Sequence, residues 1–223
     1  MYNLKTKEAD SLFSGASRFG ITLSERQVHL LSTFVSQLWE WNQRMNLTGL
    51  TSRERIIGEL LIDSLIPSLF LPDEGNVLDL GAGAGFPGIP LKIMKEGLTF
   101  HLLEAKAKKV SFLRQVIRMT RLNGITVLRG RIEKDTNLLR TEGYKIITAR
   151  AVAGLRQTLM WCAPHLAPEG MIVNFQGSRF ETVLRESSEV MRKEGLTLFK
   201  SFPYTLPKKT SQRYLLLFVK NAM

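Results

Sequence analysis

Val77-Leu78-Asp79-Leu80-Gly81-Ala82-Gly83-Ala84-Gly85-Phe86-Pro87-Gly88 is the stretch that decides the fold. A β-rich run leads into three alternating glycines, and Pro87 stands where a helix would take its first turn. Proline suits that place, because its fixed φ is helical and the first N–H of a helix has no internal partner. Glycines let the chain reverse sharply and approach a ligand with no Cβ in the way. A strand, a glycine turn and a helix start open a βαβ unit, and in an open α/β sheet ligands sit outside the carboxyl ends of the strands.

Downstream the pattern alternates. Strand-like runs at 76–80, 99–104, 125–129, 144–149 and 171–176 are separated by helical patterns at 87–95, 106–122, roughly 133–140, and 152–166. A helical pattern at 179–194 and two more strand-like runs, 197–202 and 213–219, follow. This alternation predicts an α/β fold with a seven-stranded, mostly parallel sheet covered by helices. A hairpin-like link through 203–212 makes one strand antiparallel. Upstream, the chain reads as helices only. Thr22 to Glu25 and Ser24 to Gln27 both fit a capping box, and Val28, Leu31, Val35, Leu38 and Trp39 follow at helical spacing. The polar Pro72-Asp73-Glu74-Gly75 marks a boundary between a helical N-terminal extension, 1–72, and an α/β domain, 73–223.

The 223 residues carry 31 Lys and Arg against 20 Asp and Glu, a net charge of +11. That excess is uneven. Counting along the chain, 1–75 hold 7 basic and 9 acidic residues, 76–150 hold 14 and 6, and 151–223 hold 10 and 5. A basic surface confined to the α/β part suggests a polyanionic partner. One cysteine, Cys162, excludes an internal disulfide and a cysteine zinc site, and it falls in a helical pattern as a packing residue. His29, His101 and His165 lie far apart, so no metal site is expected. The first residues lack the apolar core of a signal peptide, and the apolar stretch 56–71 carries Glu59, Asp63 and Pro67. A cytoplasmic protein away from the membrane is expected.

Two ligand classes compete for the glycine turn. Gly83-x-Gly85-x-x-Gly88 formally matches the dinucleotide fingerprint, which seats a pyrophosphate on a helix N-terminus. Against it, Pro87 removes an N–H from that turn and Asp79 places a carboxylate beside it. A cationic sulfonium and ammonium, as in S-adenosylmethionine, suit Asp79 better than a phosphate does. Glu104, 21 residues after Gly83 at the end of the second strand, is placed to accept two hydrogen bonds from a ribose diol of either ligand.

Further motifs surround these: Trp41-Asn42-Gln43-Arg44-Met45-Asn46-Leu47-Thr48, Ile62-Asp63-Ser64-Leu65, the continuation Phe86-Pro87-Gly88-Ile89-Pro90-Leu91, Leu103 to Leu113, Arg129-Gly130-Arg131-Ile132-Glu133 and Thr148-Ala149-Arg150-Ala151. Together they resemble the bacterial RsmG (GidB) family of small-subunit (16S) ribosomal RNA guanine-N7 methyltransferases. The resemblance implies a Rossmann-like class I methyltransferase fold with a helical N-terminal extension, and S-adenosylmethionine as cofactor. It implies that Gly81, Gly83 and Phe86 line the methionine and ribose part, that Glu104 takes the ribose hydroxyls, that Ile132 and Glu133 flank the adenine, and that Arg150 is a further binding position. Members of the family commonly carry a His at the place of Leu60 and Lys-Gly at the place of Gln176-Gly177.

The residue types fit attack by guanine N7. That nitrogen has an in-plane lone pair and no proton, so in-line displacement at a sulfonium methyl needs no general base, and alignment alone supplies roughly 7–11 kcal/mol. No Asn/Asp-Pro-Pro-aromatic turn for amine methylation follows the fourth strand. Ser201-Phe202-Pro203-Tyr204 is only a superficial lookalike downstream. Arg131 and Arg150 stay protonated and serve for positioning, through the guanine O6 or through phosphates. For RNA, Lys106, Lys108 and Lys109 crowd one helix start, Arg114, Arg118 and Arg121 form a stripe along it, and Asn46 and Thr48 are expected to fold over the pocket. The expected partner is ribosomal RNA or the small subunit, met by a monomer. Two rival readings stand: a methyltransferase of another substrate, and a non-catalytic RNA-binding or assembly protein.

Overall fold

The computed structural model describes residues 6–221. Three helical segments come first: α1 (Thr6–Ser17), α2 (Glu25–Met45) and a continuous run α3 over 53–69. The α2 start resolves the two capping-box candidates in favour of Ser24. Its Oγ accepts the Gln27 N–H at 3.2 Å and the Gln27 Oε1 accepts the Ser24 N–H at 2.9 Å. Asn46 ends α2 in the left-handed region, φ 46°. The α3 run widens to a π-helical turn at Ile56–Leu61, returns to α at Ile62–Leu65, and tightens to 3₁₀ at Ile66–Leu69, where Pro67 stops it.

Then the alternation begins: β1 (Gly75–Leu80), α4 (Gly88–Met94), β2 (Leu98–Glu104), α5 (Ala107–Thr120), β3 (Ile125–Arg129), β4 (Tyr144–Ala149), α6 (Leu155–Cys162), β5 (Leu166–Gln176), α7 (Phe180–Glu186), α8 (Ser188–Lys193), β6 (Leu196–Thr205) and β7 (Gln212–Lys220). The seven strands form one sheet in the order β3-β2-β1-β4-β5-β7-β6. β1 through β5 are parallel, and β7 runs antiparallel to both its neighbours. The strand order reverses between β1 and β4, so the crevice at their carboxyl ends is where this sheet can receive a ligand.

Both faces of the sheet are covered. On one, Phe34 of α2 meets Phe86 at 5.0 Å between ring centres and Phe112 of α5 at 6.5 Å. Trp41 meets Phe112 at 5.6 Å. The N-terminal helices therefore share one apolar core with α4 and α5, and truncating a ring as buried as Phe34 costs about 3–5 kcal/mol. The other face buries Tyr144, Leu155, Leu159, Cys162 and Phe218.

Three expectations are corrected. The helical pattern at 133–140 yields only a 3₁₀ turn, Thr136–Leu138. Asp135 explains this: its Oδ2 accepts the Arg131 N–H at 2.8 Å, which offers the backbone a local alternative to the helix. The pattern at 179–194 forms two helices, broken at the buried Ser187, whose hydroxyl donates back to the Val183 carbonyl at 2.6 Å. The helix expected from Val152 begins only at Leu155, after the bend 150–153.

Candidate active site

β1 delivers the chain into the glycine turn with Gly81, Gly83 and Gly85 all in the left-handed region, at φ 67°, 58° and 90°. At Gly81 a Cβ would stand 2.7 Å from Val152 Cγ2, so only glycine fits. Glu104, buried at the end of β2, ties this turn to the next. Its Oε2 accepts the Gly83 N–H at 2.9 Å and its Oε1 accepts the Lys106 N–H at 2.7 Å. A carboxylate has about four acceptor sites. Two are filled from the backbone and two remain for hydroxyl donors.

The Glu104 pocket is lined by Gly81, Gly130, Arg131, Ile132, Glu133 and Trp161, among others. Of the expected site residues, Gly81, Glu104, Ile132 and Glu133 line this one pocket, and Arg131, expected to position the substrate, joins them. Sequence reasoning misses Trp161, which α6 supplies as an apolar wall; a tryptophan on a helix reads as core until the sheet shows what that helix faces. Arg131 and Glu133 form an exposed ion pair at 3.9 Å, a contact worth little by itself. Lys109 leans over the turn, its Nζ 3.7 Å from where a Gly83 Cβ would stand. Gly83 flanks the pocket, while Phe86 is buried against Phe34 and faces the core.

Asp79 is placed differently from the expectation that it meets the ligand. It lies fully buried beneath the turn, where its Oδ2 accepts the Gly88 N–H at 3.0 Å and its Oδ1 accepts the Thr148 hydroxyl at 2.7 Å. Burial raises its pKa to about 7, against the lowering pull of Thr148, Gly88 and Arg150. Asp79 braces the turn from inside. This bracing also separates the two ligand classes. Pro87 has no N–H, Gly88 donates to Asp79, and Ile89 and Leu91 donate to the carbonyls of Gly85 and Pro87. The start of α4 has no N–H left for a pyrophosphate, and Glu104 already takes that of Gly83. What the pocket offers instead is the acceptor Glu104, which fits the hydroxyls of a ribose.

Arg150 also departs from the pocket. It lines a second cleft of about 450 Å³ with Phe175, Gln176, Ser178, Ser211 and Arg213. Its Nη2 lies 3.2 Å from Asp63 Oδ2 and donates to the Glu59 carbonyl at 3.3 Å, and its Nη1 donates to Ser64 Oγ at 3.4 Å. Arg213 Nη1 donates to the same Asp63 Oδ2 at 3.1 Å, and Tyr204 donates to Oδ1 at 2.6 Å. This buried hub joins α3, β4, β6 and β7. Gln176 donates to Asn174 Oδ1 at 2.6 Å on the cleft wall, and Leu60 is half-buried against the core.

The expected RNA residues divide. Lys106 and Lys108 are exposed at the start of α5 beside the pocket, and Lys106 caps that helix with no side-chain hydrogen bond. Arg114 and Arg118 are exposed along α5, but Arg121 lies past its end, in the left-handed region at φ 51°. At 1.5 Å per residue the stripe runs roughly 20 Å away from the pocket. Asn46 and Thr48 are spent inside their own loop: Asn42 Oδ1 accepts the Thr48 N–H at 3.0 Å, and Asn46 Oδ1 accepts the Gly49 N–H at 3.0 Å. Among the described residues no group of three or more His, Cys, Asp and Glu stands ready for a metal, and no helix is long and apolar enough to cross a membrane.

The family model for rRNA small subunit methyltransferase G matches residues 27–210. The chain belongs to this family. A ribosomal RNA small subunit methyltransferase G of Caldanaerobacter subterraneus subsp. tengcongensis is 40% identical over 183 residues, covering 81% of this chain and 77% of that one. Its counterpart in Roseiflexus sp. is 34% identical over 200 residues, covering 89% and 86%. The fold also matches solved structures of methyltransferases outside the rRNA small subunit methyltransferase G family. A Pyrococcus furiosus methyltransferase aligns at TM-score 0.58 and 15% identity, covering 86% of this chain and 98% of that one. M. jannaschii TYW2, solved in complex with AdoMet, aligns at TM-score 0.57 and 14% identity, covering 70% and 73%. These matches establish a Rossmann-like methyltransferase fold for the chain. Within it, the Asp63 hub was the feature hardest to foresee, since its three partners lie up to 150 residues from Asp63 in the chain.

Proposed function

We propose that this protein transfers the methyl group of S-adenosylmethionine to N7 of a guanine in small-subunit ribosomal RNA, in the cytoplasm and as a monomer. The observation that carries this reading is the Glu104 pocket in a chain of the rRNA small subunit methyltransferase G family: a carboxylate with two free acceptor sites, beside a turn whose Gly83 and Gly88 N–H groups are already taken by Glu104 and Asp79. S-adenosylmethionine supplies an electrophilic sulfonium methyl. Glu104 accepts the ribose hydroxyls. Gly81 lets the backbone approach without a Cβ, Gly83 flanks the pocket and orients Glu104 through its N–H, and Phe86 holds the turn against Phe34 from the core side. Ile132, Trp161 and Leu103 give the adenine an apolar slot, and Glu133 accepts from its amine. Asp79 holds the turn in shape from beneath.

No residue acts as a base in this mechanism. Guanine N7 carries no proton, so the chain has only to align the lone pair with the methyl. Arg131 and Arg150 position the RNA. Lys106, Lys108 and Lys109 stand at the pocket rim, where a polyanion would approach, and the +11 charge favours its arrival. Arg114, Arg118 and Arg121 extend that surface. Residues 1–72 act as a helical extension of the catalytic domain 73–223, bracing its glycine turn through Phe34 against Phe86.

Titration calorimetry with S-adenosylmethionine and with NAD tests the cofactor, and saturable heat with NAD alone would sink it. Incubation of unmodified small-subunit RNA with methyl-labelled cofactor, followed by nucleoside analysis, tests the product. Label in 7-methylguanosine is expected; label in any other nucleoside would reject the N7 assignment.

A further inference from the structure

We propose that the cleft between Arg150 and Arg213 seats a phosphodiester of the substrate RNA, and that Asp63 is the positioning residue that sets both guanidiniums for it. This deepens the function proposed above and rests on it.

The placement comes first. The loop after β4 forms a shared wall: Val152 lines the Glu104 pocket and touches Gly81, while Arg150 and Ala151 line the cleft on the other side. Ala151 sits in the left-handed region at φ 51°. For a residue with a Cβ that backbone carries strain, of the kind that persists when the surroundings require it. Here it lies at the junction of the two cavities, between Arg150 and Val152.

Charge comes next. Asp63 is fully buried and answers two guanidiniums with one carboxylate, so the cluster keeps a net charge of +1 facing the cleft. Arg213 is 34% exposed, and only its Nη1 is engaged. Its remaining N–H groups form a fork suited to a phosphate. Ser178, Ser211 and Gln212 add neutral donors on the same wall, and Gly177 leaves open space beside them.

Position is held by geometry around Asp63. Tyr204 donates to Oδ1, so Oδ2 is left for Arg150 and Arg213 together. The π-helical turn Ile56–Leu61 presents the Glu59 carbonyl to Arg150 as a second anchor. An aspartate with two arginines and a tyrosine on it, at one end of a sheet, is more than burial of a helix needs. It fixes two cations at the mouth of a cleft beside the pocket where transfer would occur.

The test measures binding of a labelled, unmodified small-subunit RNA transcript to the full-length protein across a salt series, with S-adenosylmethionine binding followed by calorimetry on the same samples. Arg213→Gln is expected to weaken RNA binding by roughly tenfold or more, as the loss of a charged hydrogen bond does, and to flatten the slope of log K against log salt by roughly 0.7–0.9. Its cofactor binding should be unchanged. Asp63→Asn gives the sharper result. It removes a negative charge, so charge alone would tighten RNA binding, whereas a positioning role weakens it. If Asp63→Asn shows no cooperative denaturant unfolding and is therefore misfolded, Tyr204→Phe takes its place, since it loses a hydrogen bond to Asp63 but no charge; weaker RNA binding is expected, and wild-type binding would overturn the role of Asp63. A wild-type salt slope for Arg213→Gln, or tighter binding by a folded Asp63→Asn, overturns the proposal. Wild-type protein that binds neither cofactor nor RNA refutes the proposed function instead.

Discussion

Glu104→Ala removes the group on which the pocket turns. The carboxylate accepts from two backbone N–H groups, at 2.9 Å from Gly83 and 2.7 Å from Lys106, and it is buried. Each hydrogen bond to a charged group contributes about 1.5–3 kcal/mol net. Water can reach both N–H groups once the side chain is gone, so the loss to the fold falls at the low end, about 3 kcal/mol for the pair. The cofactor loses its hydroxyl acceptor as well. One such bond is worth a factor of roughly 10 to 150 in Kd. Glu104→Gln separates the two effects, because it keeps the volume but turns an amide donor toward the N–H of Gly83 or Lys106. Calorimetric titration reads the affinity, and denaturant unfolding reads the fold. Single-turnover methyl transfer across pH reads the chemistry, which is expected to slow without any change in its pH profile. Unchanged cofactor affinity in both variants would refute the pocket assignment, and a new kinetic pKa would refute base-free transfer.

Gly81→Ala should cost the fold about 1–2 kcal/mol for its left-handed backbone, plus the displacement of Val152, whose Cγ2 is 2.7 Å from the new Cβ; cofactor affinity should fall with it, and wild-type unfolding and affinity would contradict the tight turn. The carboxyl of Asp79 is raised by desolvation to about 7 from its ordinary 3.8. The folded state therefore holds its proton longer than the unfolded chain does, and stability falls by a few kcal/mol as pH rises from about 4 to about 7, then stays level. Denaturant titrations at several pH values should show that Asp79→Asn loses this part of the slope; a wild-type-minus-variant difference that is constant with pH would show that the carboxyl does not titrate there. Cys162 is fully buried and burial pushes its thiol pKa up, so Cys162→Ala should keep methyl transfer at a cost of about 1–2 kcal/mol in unfolding. Abolished transfer in a folded Cys162→Ala would point to covalent catalysis instead.

What was legible in the sequence was local. The glycine turn, Glu104 and the Arg131–Glu133 segment lie within βαβ units, where strand ends and spacing determine which residues meet at the crevice. The strand pattern held for the same reason, since period-two runs between turn residues tolerate few alternatives. Other features depend on tertiary partners. Proximity to the turn points Asp79 at the ligand, but its side chain alternates inward and finds Thr148, 69 residues away. Asn46 and Thr48 looked free because their partners, Gly49 and Asn42, lie in the loop they themselves build. Arg121 fell off its stripe because Thr120 ends the helix. Asp63 carried a visible signal, a carboxylate in an apolar helix, yet its partners at 150, 204 and 213 come together only when the sheet forms.

The central claim is methylation of guanine N7 in small-subunit ribosomal RNA, and its most direct test is in the cell. A 7-methylguanosine makes the RNA chain susceptible to cleavage by borohydride followed by aniline. Small-subunit RNA from a strain lacking the gene should lose one such cleavage that wild-type RNA shows, and a plasmid copy should restore it. An identical cleavage pattern in the presence and absence of the protein would contradict the function proposed here.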